Sequence, residues 1–182
     1  MSGAQKNPAD TAMSVPDKPI CADTLIIIPV FNDWASIGKL LPTLNAALGE
    51  EPGSASVMLI DDGSTECPPD HIALGENANI DDVYILKLRT NLGHQRALAV
   101  GLAFTWMRTA SNTLVIMDGD GEDAPSDVPR LLEHFRRTGS NKIVFAERKR
   151  RSENLIFRAF YHIYRGAHWL LTGRAVRVGN FS

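Results

Sequence analysis

Short apolar runs that end in polar turns recur along this chain and limit the folds open to it. The first run, Thr24–Val30, is rich in Ile and is typical of a strand buried on both faces. Similar runs follow at Val57–Ile60, Val83–Leu88 and Thr113–Met117. Because helical stretches separate most of these runs, the pattern predicts an α/β fold with a mostly parallel sheet and helices on both faces.

Three helices before residue 142 are predicted from apolar residues at helical spacing, and a long helix dense in aromatics is expected at Asn154–Leu171. The first follows Asn32 or Asp33, either of which can cap it, and the second covers residues 95–109. The third begins at a capping Ser126, and a fifth strand is expected at Lys142–Ala146. The stripe that the second helix turns to the sheet is expected to contain Leu98, Gly101, Leu102 and Thr105.

Acidic residues gather directly after the fourth run, between Asp118 and Asp123. In extended backbone Asp118 and Asp120 leave the same face, and two such carboxylates suit Mg²⁺ or Mn²⁺ whose shell is completed by phosphates and waters. A solvated acidic turn would give the same pattern. Polar clusters also follow the other runs, and ligands of parallel sheets bind at that edge. These clusters are Asn32-Asp33, Asp61-Asp62-Gly63-Ser64 and Asn91-Leu92-Gly93-His94.

The charge of the chain is distributed unevenly, although its net value is only −2. From Arg148 onward there are eight of the 19 Lys and Arg residues against one acid, Glu153. The remaining 11 basic and 20 acidic residues precede Arg148, so the chain divides into segments of −9 and +7. An acidic end and a basic end suit a metal-bound anionic substrate that meets an anionic surface, although a solvated charged helix would explain the basic end as well.

Residues 1–23 are rich in Pro, Ala, Ser and Asp and are predicted to be a disordered leader. They contain no apolar core of a signal peptide, and no window of the chain holds 18 consecutive apolar residues. No Gly-x-Gly-x-x-Gly or Walker-type loop is present, so dinucleotide oxidoreductases and P-loop enzymes lack their phosphate-binding motif here.

Three motifs, Ile28–Asp33, Ile60–Thr65 and Met117–Asp120, resemble in order and spacing those of family 2 glycosyltransferases with the GT-A (Rossmann-like) fold. Asn91–Gln95 and Asp118–Pro125 narrow the resemblance to the branch that acts on polyprenyl phosphates, such as bactoprenol glucosyltransferases and dolichol-phosphate mannose synthases. The resemblance implies inverting transfer of a sugar from a nucleotide-diphosphate sugar to an acceptor, a polyprenyl phosphate, with Mg²⁺ or Mn²⁺ as cofactor.

The resemblance also implies a role for individual residues. Asp118, Asp120, Asp123 and Arg148 would be catalytic, and Asp120 would bind the metal. Asp61 and Asp62 are alternatives for the residue that hydrogen-bonds the base or ribose. The nucleotide-sugar pocket as a whole would contain Pro29, Phe31, Asn32, Asp33, Asp61, Asp62, Gly63, Ser64, Asn91, Gly93, His94 and Asp118.

The acceptor side, where Arg151 and Asn180 would lie, departs from the family pattern. The Gly-Asp-Phe of the family reads Gly179-Asn180-Phe181 here, so one carboxylate is lost. A hydroxyl acceptor needs a general base, whereas a phosphate monoester with a second pKa of about 6 is already largely dianionic at pH 7. A polyprenyl phosphate therefore tolerates Asn180 better than a hydroxyl acceptor does. Because the chain stops at Ser182, the glycosyltransferase domain at 24–182 is expected to be incomplete at this side.

Two alternatives to an active glycosyltransferase stay open at this point. A haloacid-dehalogenase-like phosphatase would use Asp118 as its nucleophile, because Asp118-Gly119-Asp120-Gly121 after a strand fits the start of that motif. A nucleotide-sugar-binding remnant without turnover would also carry these motifs. We expect a cytoplasmic chain, peripheral at the inner face of the plasma membrane, which binds no nucleic acid and could form a homo-oligomer.

Overall fold

The computed structural model describes residues 19–75, 79–139 and 142–146. The chain divides into two compact units, Met1–Val144 and Phe145–Ser182. All the strands and helices of the described residues belong to the first unit. In the second unit only Phe145 and Ala146 are described, and neither has regular secondary structure. The helix expected at Asn154–Leu171 lies outside the described residues.

A parallel sheet of four strands forms the centre of the first unit. The strands are β1 (Thr24–Val30), β2 (Ala55–Asp61), β3 (Asp82–Lys87) and β4 (Thr113–Ile116), in the order β3-β2-β1-β4. β1 pairs with β2 over its whole length and with β4 over its first four residues. All seven residues of β2 are buried, as expected for a central strand covered on both faces. The predicted α/β fold with a parallel sheet is confirmed.

Three helices cover the sheet: α1 (Trp34–Ala47), α2 (His94–Arg108) and α3 (Val128–Arg137). Short 3₁₀ turns follow α1 at Leu48–Glu50 and precede α3 at Pro125–Asp127. The side chains of α1 and α3 pack on the face of β1 that carries Ile26, Ile28 and Val30. On the opposite face α2 packs through Ala97 against a cluster that includes Leu25, Ile27, Met58 and Ile60. Helices therefore lie on both faces, as predicted.

α2 lies close to the sheet because its buried stripe consists of small residues. Ala97, Gly101 and Thr105 are buried at i, i+4 and i+8, and a Cβ on Gly101 would overlap the side chain of Ile60. The predicted stripe was wrong about Leu102, which is 36% exposed. Leu is more apolar than Ala, but the close approach of the helix leaves no room for it.

Three other predictions about the elements were wrong. Residues 19–23 belong to the folded part, because Ile20 is buried and pairs with Thr109 beyond the end of α2. Lys142–Ala146 form no strand. Ser126 caps no helix, because it lies inside the 3₁₀ turn that starts at Pro125. α3 begins only at Val128 and has no side-chain cap. Of the two residues predicted as alternatives for the cap of α1, Asn32 and Asp33, the cap is Asp33, whose carboxylate accepts from the Ser36 N–H at 3.2 Å.

None of the helices in the described residues is long and apolar enough to cross a membrane.

Candidate functional site

The parallel sheet brings the four predicted polar turns to one edge, because all its strands end there. Backbone pairing continues beyond the strands and fixes the starts of these turns. The Asp62 N–H donates to the Val30 carbonyl at 2.9 Å, and the Leu88 N–H donates to the Asp61 carbonyl at 2.8 Å. The Met117 N–H donates to the Ile27 carbonyl at 3.2 Å, so the acidic turn after β4 starts beside β1.

Asp61, the last residue of β2, is fully buried and uses only one of its carboxylate oxygens. Its Oδ1 accepts a hydrogen bond from the Ser64 N–H at 2.8 Å. Its Oδ2 is buried and has no hydrogen-bond partner among the described residues. A buried carboxylate oxygen without a donor is costly, and such an atom in a folded protein calls for an explanation. A ligand with an N–H or O–H group would supply the missing donor.

Asn32 connects the turn after β1 to the turn after β2. Its backbone is left-handed, with φ of 53°, a conformation that Asn tolerates better than most residues. Its N–H donates to Ser64 Oγ at 2.9 Å, and its Oδ1 accepts from the N–H groups of Thr65 at 2.8 Å and Glu66 at 3.2 Å. Asn32, which we predicted as a pocket residue, therefore holds the neighbouring turn in place.

Trp34 is a residue of this region that sequence reasoning missed. It is buried at the start of α1, and its Nε1 donates to the Glu66 carbonyl at 3.3 Å. A Trp one residue after a helix cap gives no signal of a contact 32 residues away.

Gly63 brings the turn after β2 against the chain that follows β3. It has a positive φ of 71°, and a Cβ at this position would lie 2.5 Å from the Thr90 carbonyl carbon and 2.6 Å from the Asn91 nitrogen. Only glycine combines this conformation with such a close approach. The two turns are therefore in direct backbone contact.

Asp62 uses both carboxylate oxygens on the chain after β3. Its Oδ1 accepts from the Leu92 N–H at 2.7 Å and its Oδ2 from the Gly93 N–H at 2.9 Å. The residue is 3% exposed. Gly93, with a φ of 85°, precedes the first residue of α2, and Asn91 Oδ1 shares its N–H at 3.0 Å. The predicted residues Asn91 and Gly93 thus form the loop that Asp62 holds.

The acidic turn after β4 is organised by its own backbone. Asp123 Oδ2 accepts from the Asp118 N–H at 2.9 Å, and Asp120 Oδ1 accepts from the Glu122 N–H at 2.9 Å. β4 ends at Ile116 and residues 119–121 form a bend, so the extended backbone that we assumed for Asp118 and Asp120 is interrupted between them. Asp118 is half-buried and Asp120 is exposed.

Two glycines shape this turn in different ways. Gly121 has a positive φ of 83° and turns the chain. Gly119 has no positive φ, but a Cβ on it would lie 3.0 Å from Ile37 Cδ1 and 3.2 Å from the Pro29 carbonyl oxygen. The absence of a side chain at Gly119 therefore lets the acidic turn approach the ends of β1 and α1.

His94 connects the turn after β3 with the acidic turn after β4. It is the first residue of α2, and its Nε2 lies 3.4 Å from Asp118 Oδ1. Both side chains remain partly open to solvent, at 51% and 37% exposure. The start of α2 therefore lies at the same edge. Because α2 has no side-chain cap, its first N–H groups favour a negatively charged ligand.

A divalent cation would find one open carboxylate here rather than a preformed protein cage. Among the described residues no group of three or more His, Cys, Asp and Glu side chains is arranged to hold a metal. The exposed Asp120 carboxylate nevertheless fits Mg²⁺, which typically binds proteins through one or two carboxylates and takes its other ligands from phosphates and water. The donor set therefore fits a metal that arrives with a phosphorylated ligand.

The remaining predicted site residues are placed as follows. Pro29 is half-buried and Phe31 is 48% exposed at the end of β1. Arg148, Arg151 and Asn180 lie outside the described residues.

Comparison with known proteins decides the family. The sequence model described as Glycosyl transferase family 2 matches residues 25–178. The chain belongs to this family. The family match includes β1 from its second residue onward, the other three strands and every polar turn of the candidate site.

Several curated proteins similar to this chain have a polyprenyl phosphate in their names. A dodecaprenyl-phosphate galacturonate synthase of Rhizobium johnstonii is 28% identical over 134 residues, which are 73% of this chain and 38% of that protein. An undecaprenyl-phosphate 4-deoxy-4-formamido-L-arabinose transferase of Aeromonas hydrophila is 32% identical over 109 residues, 59% of this chain and 32% of the relative. Its counterpart in Erwinia tasmaniensis is 24% identical over 108 residues, with the same shares. The chain thus spans about a third of the length of these relatives.

Proposed function

We propose that this chain binds a nucleotide-diphosphate sugar at the carboxyl edge of the sheet and transfers the sugar to a polyprenyl phosphate. The observation that carries the proposal is the buried Asp61 Oδ2, an acceptor without a donor among the described residues, at the same edge of the sheet as an exposed acidic turn. A base or ribose would supply the donor at Asp61, and the diphosphate would lie toward the start of α2 and Asp120. Family membership and the names of the relatives support a transfer of sugar to a polyprenyl phosphate.

The chemistry asked of this edge is a displacement at the anomeric carbon. An oxygen of the acceptor phosphate forms a bond to that carbon while the bond to the donor diphosphate breaks, and the diphosphate leaves with the bonding pair. Attack from the opposite side inverts the anomeric centre. The acceptor needs no general base, because a phosphate monoester with a second pKa of about 6 is largely dianionic at pH 7.

The residues of this chain would divide the remaining work. Asp120 would hold Mg²⁺ or Mn²⁺, which supplies Lewis-acid stabilisation of the departing diphosphate when bound. Asp118, kept near His94, would face the ribose and sugar, and Asp123 supports the turn through the Asp118 N–H. Arg148 would contact phosphate.

A basic segment, Arg148–Arg151, supports a place at a membrane surface. Each Lys or Arg near an anionic leaflet contributes about 1 kcal/mol, an effect that salt screens. We therefore propose a cytoplasmic, peripheral location at the inner face of the plasma membrane. Co-sedimentation with vesicles should rise with anionic lipid and fall when Arg148, Lys149, Arg150 and Arg151 are changed to Ser. Binding that ignores lipid charge contradicts this part of the proposal.

Calorimetry with UDP and GDP tests donor binding. Binding should be much tighter with Mg²⁺ or Mn²⁺ than in excess chelator, and Asp120→Ala should remove this gain of roughly tenfold or more, since the diphosphate loses its metal-binding partner. Asp81→Asn is a matched control, because Asp81 is an exposed acid at the start of β3, on the opposite edge of the sheet. Equal affinity in excess chelator would remove the metal from the proposal.

Turnover requires its own measurement. A single-turnover assay with a panel of nucleotide sugars and undecaprenyl phosphate should yield a polyprenyl-phosphate sugar. Nucleotide binding without any transfer would instead identify a nucleotide-sugar-binding remnant. Membership of the glycosyltransferase family leaves the phosphatase alternative without support, and a failure to trap an aspartyl phosphate on Asp118 would agree with that.

A further inference from the structure

Asp61 and Asp62 are neighbours in the sequence, yet their carboxylates are used differently. Asp61 keeps one buried oxygen without a partner, whereas both oxygens of Asp62 accept backbone N–H groups. A carboxylate has about four acceptor positions, but both oxygens of Asp62 are already directed to the backbone of one loop, whereas Asp61 Oδ2 has no partner among the described residues. The two acids therefore cannot serve the site in the same way.

We propose that Asp62 is a positioning residue, whose buried carboxylate fixes the loop Asn91–Gly93 and thereby sets His94 against Asp118. Asp62 is then not a ligand of the nucleotide. The expected effect of Asp62 on nucleotide binding rests on the proposed function. The role of Asp62 in holding the loop does not. No metal, nucleotide or acceptor is needed for the hydrogen bonds that define it.

The connection from Asp62 to Asp118 is short and each step is a direct contact. Asp62 accepts from the N–H groups of Leu92 and Gly93 at 2.7 and 2.9 Å. Gly93, at a φ of 85°, directs the chain into α2, whose first residue is His94. The Nε2 atom of His94 lies 3.4 Å from Asp118 Oδ1. Only the two side-chain bonds of His94 itself lie between the fixed loop and the imidazole.

Burial makes this connection stiff at one end and adjustable at the other. Asp62 is 3% exposed, and Gly63 brings its turn into backbone contact with Thr90 and Asn91. Charge-assisted hydrogen bonds are stronger than neutral ones, so the loop has one preferred position. His94 and Asp118 are both partly exposed, so a ligand can reach them. The carboxyl end of β2 thus controls a contact at the end of β4.

Amide exchange and NMR of the ligand-free chain test the positioning role directly. In Asp62→Asn the amide oxygen can replace one acceptor but not both, so exchange at Leu92 and Gly93 should accelerate by about ten- to hundredfold. In the parent, Asp118→Asn should shift the ring signals of His94, and in the Asp62→Asn background this shift should shrink or vanish. A merely structural carboxylate would leave that response intact.

Matched variants keep the test decisive. Asp23 accepts from the Ser54 N–H at 2.9 Å before β1, so Asp23→Asn should loosen a loop at the opposite edge and leave His94 unchanged. Asn91→Ala removes only the second acceptor of the Gly93 N–H and serves if Asp62→Asn does not fold. It should raise exchange at Gly93 and weaken the response of His94 to Asp118→Asn. Parental exchange and parental His94 signals in the Asp62 variant, or in Asn91→Ala if that variant must replace it, would overturn the proposal.

A double-mutant cycle carries the inference to the ligand. If Asp62 acts through His94, the losses of UDP or GDP affinity from Asp62→Asn and His94→Ala should not add. Additive losses would make Asp62 a direct ligand and overturn the proposal. A parent that binds no nucleotide would refute the proposed function alone, because amide exchange and the His94 signals still decide the role of Asp62.

Discussion

The chain carries paired acids at two strand ends, and the structure treats the two pairs differently. Asp61 and Asp62 after β2 are buried and held by the turns around them. Asp118 after β4 is half-buried and Asp120 is exposed, and both lie in a turn that mainly hydrogen-bonds to itself. A buried, fixed acid suits recognition of an uncharged group through hydrogen bonds, whereas an exposed acid suits a hydrated cation. Position in the sheet, rather than residue type, separates the two roles.

The glycines beside the two acid pairs give the largest expected difference. Gly63→Ala places a Cβ 2.5 Å from a backbone carbon at a positive φ, and we expect it to lower the free energy of unfolding by about 3 kcal/mol or more. Gly121→Ala meets nothing within 4 Å and should cost only about 1–2 kcal/mol, from its φ alone. Urea denaturation of both variants checks this, and equal losses would contradict the difference between the turns.

Removal of one acid from each pair should have the next largest effect. Asp62→Ala removes the acceptor of the Leu92 N–H and one of the two acceptors of the Gly93 N–H, and should destabilise the fold by about 2 kcal/mol. Asp120→Ala removes an exposed side chain and should stay within about 0.5 kcal/mol. Thermal unfolding at one pH compares them. A loss at Asp120 as large as that at Asp62 would mean that the acidic turn is part of the rigid fold.

Nucleotide binding sharpens the comparison between Asp61 and Asp120. Asp61→Asn removes a charged acceptor and should weaken UDP or GDP binding by about tenfold, both with and without a divalent cation. Asp120→Asn should weaken binding only when the cation is present. Calorimetry in Mn²⁺ and in chelator separates the two effects. The reverse pattern would exchange the roles of the two strand ends.

The smallest effect on stability is expected from the contact between His94 and Asp118. His94 and Asp118 are partly exposed, so their interaction should contribute less than about 0.5 kcal/mol to stability and fade in high salt. Denaturation of His94→Gln at low and high salt measures this contribution. A large, salt-independent loss would show that the contact is structural rather than adjustable.

Sequence reasoning found the edge of the sheet and its acids but not how the acids are used. Apolar runs placed β1 to β4 within two residues. They are clearest for β1 and β2, because a strand buried on both faces must be apolar almost throughout. The same pattern cannot tell Asp61 from Asp62, because their roles depend on Leu92 and Gly93 in another turn. Leu102 was misplaced for a related reason, as the approach of α2 to Ile60 is a tertiary property.

β4 is synthesised last of the four strands, although it pairs with β1, the first one. β1, β2 and β3 have all been translated before Thr113, the first residue of β4, leaves the ribosome. β1, β2 and β3 can therefore pair with one another while the other side of β1 is still without β4. Long-range parallel pairing is slow, so β4 joins as a late step. A ribosome-bound chain would thus contain the formed turn of Asp61 and Asp62 well before the acidic turn after β4 has its place beside β1.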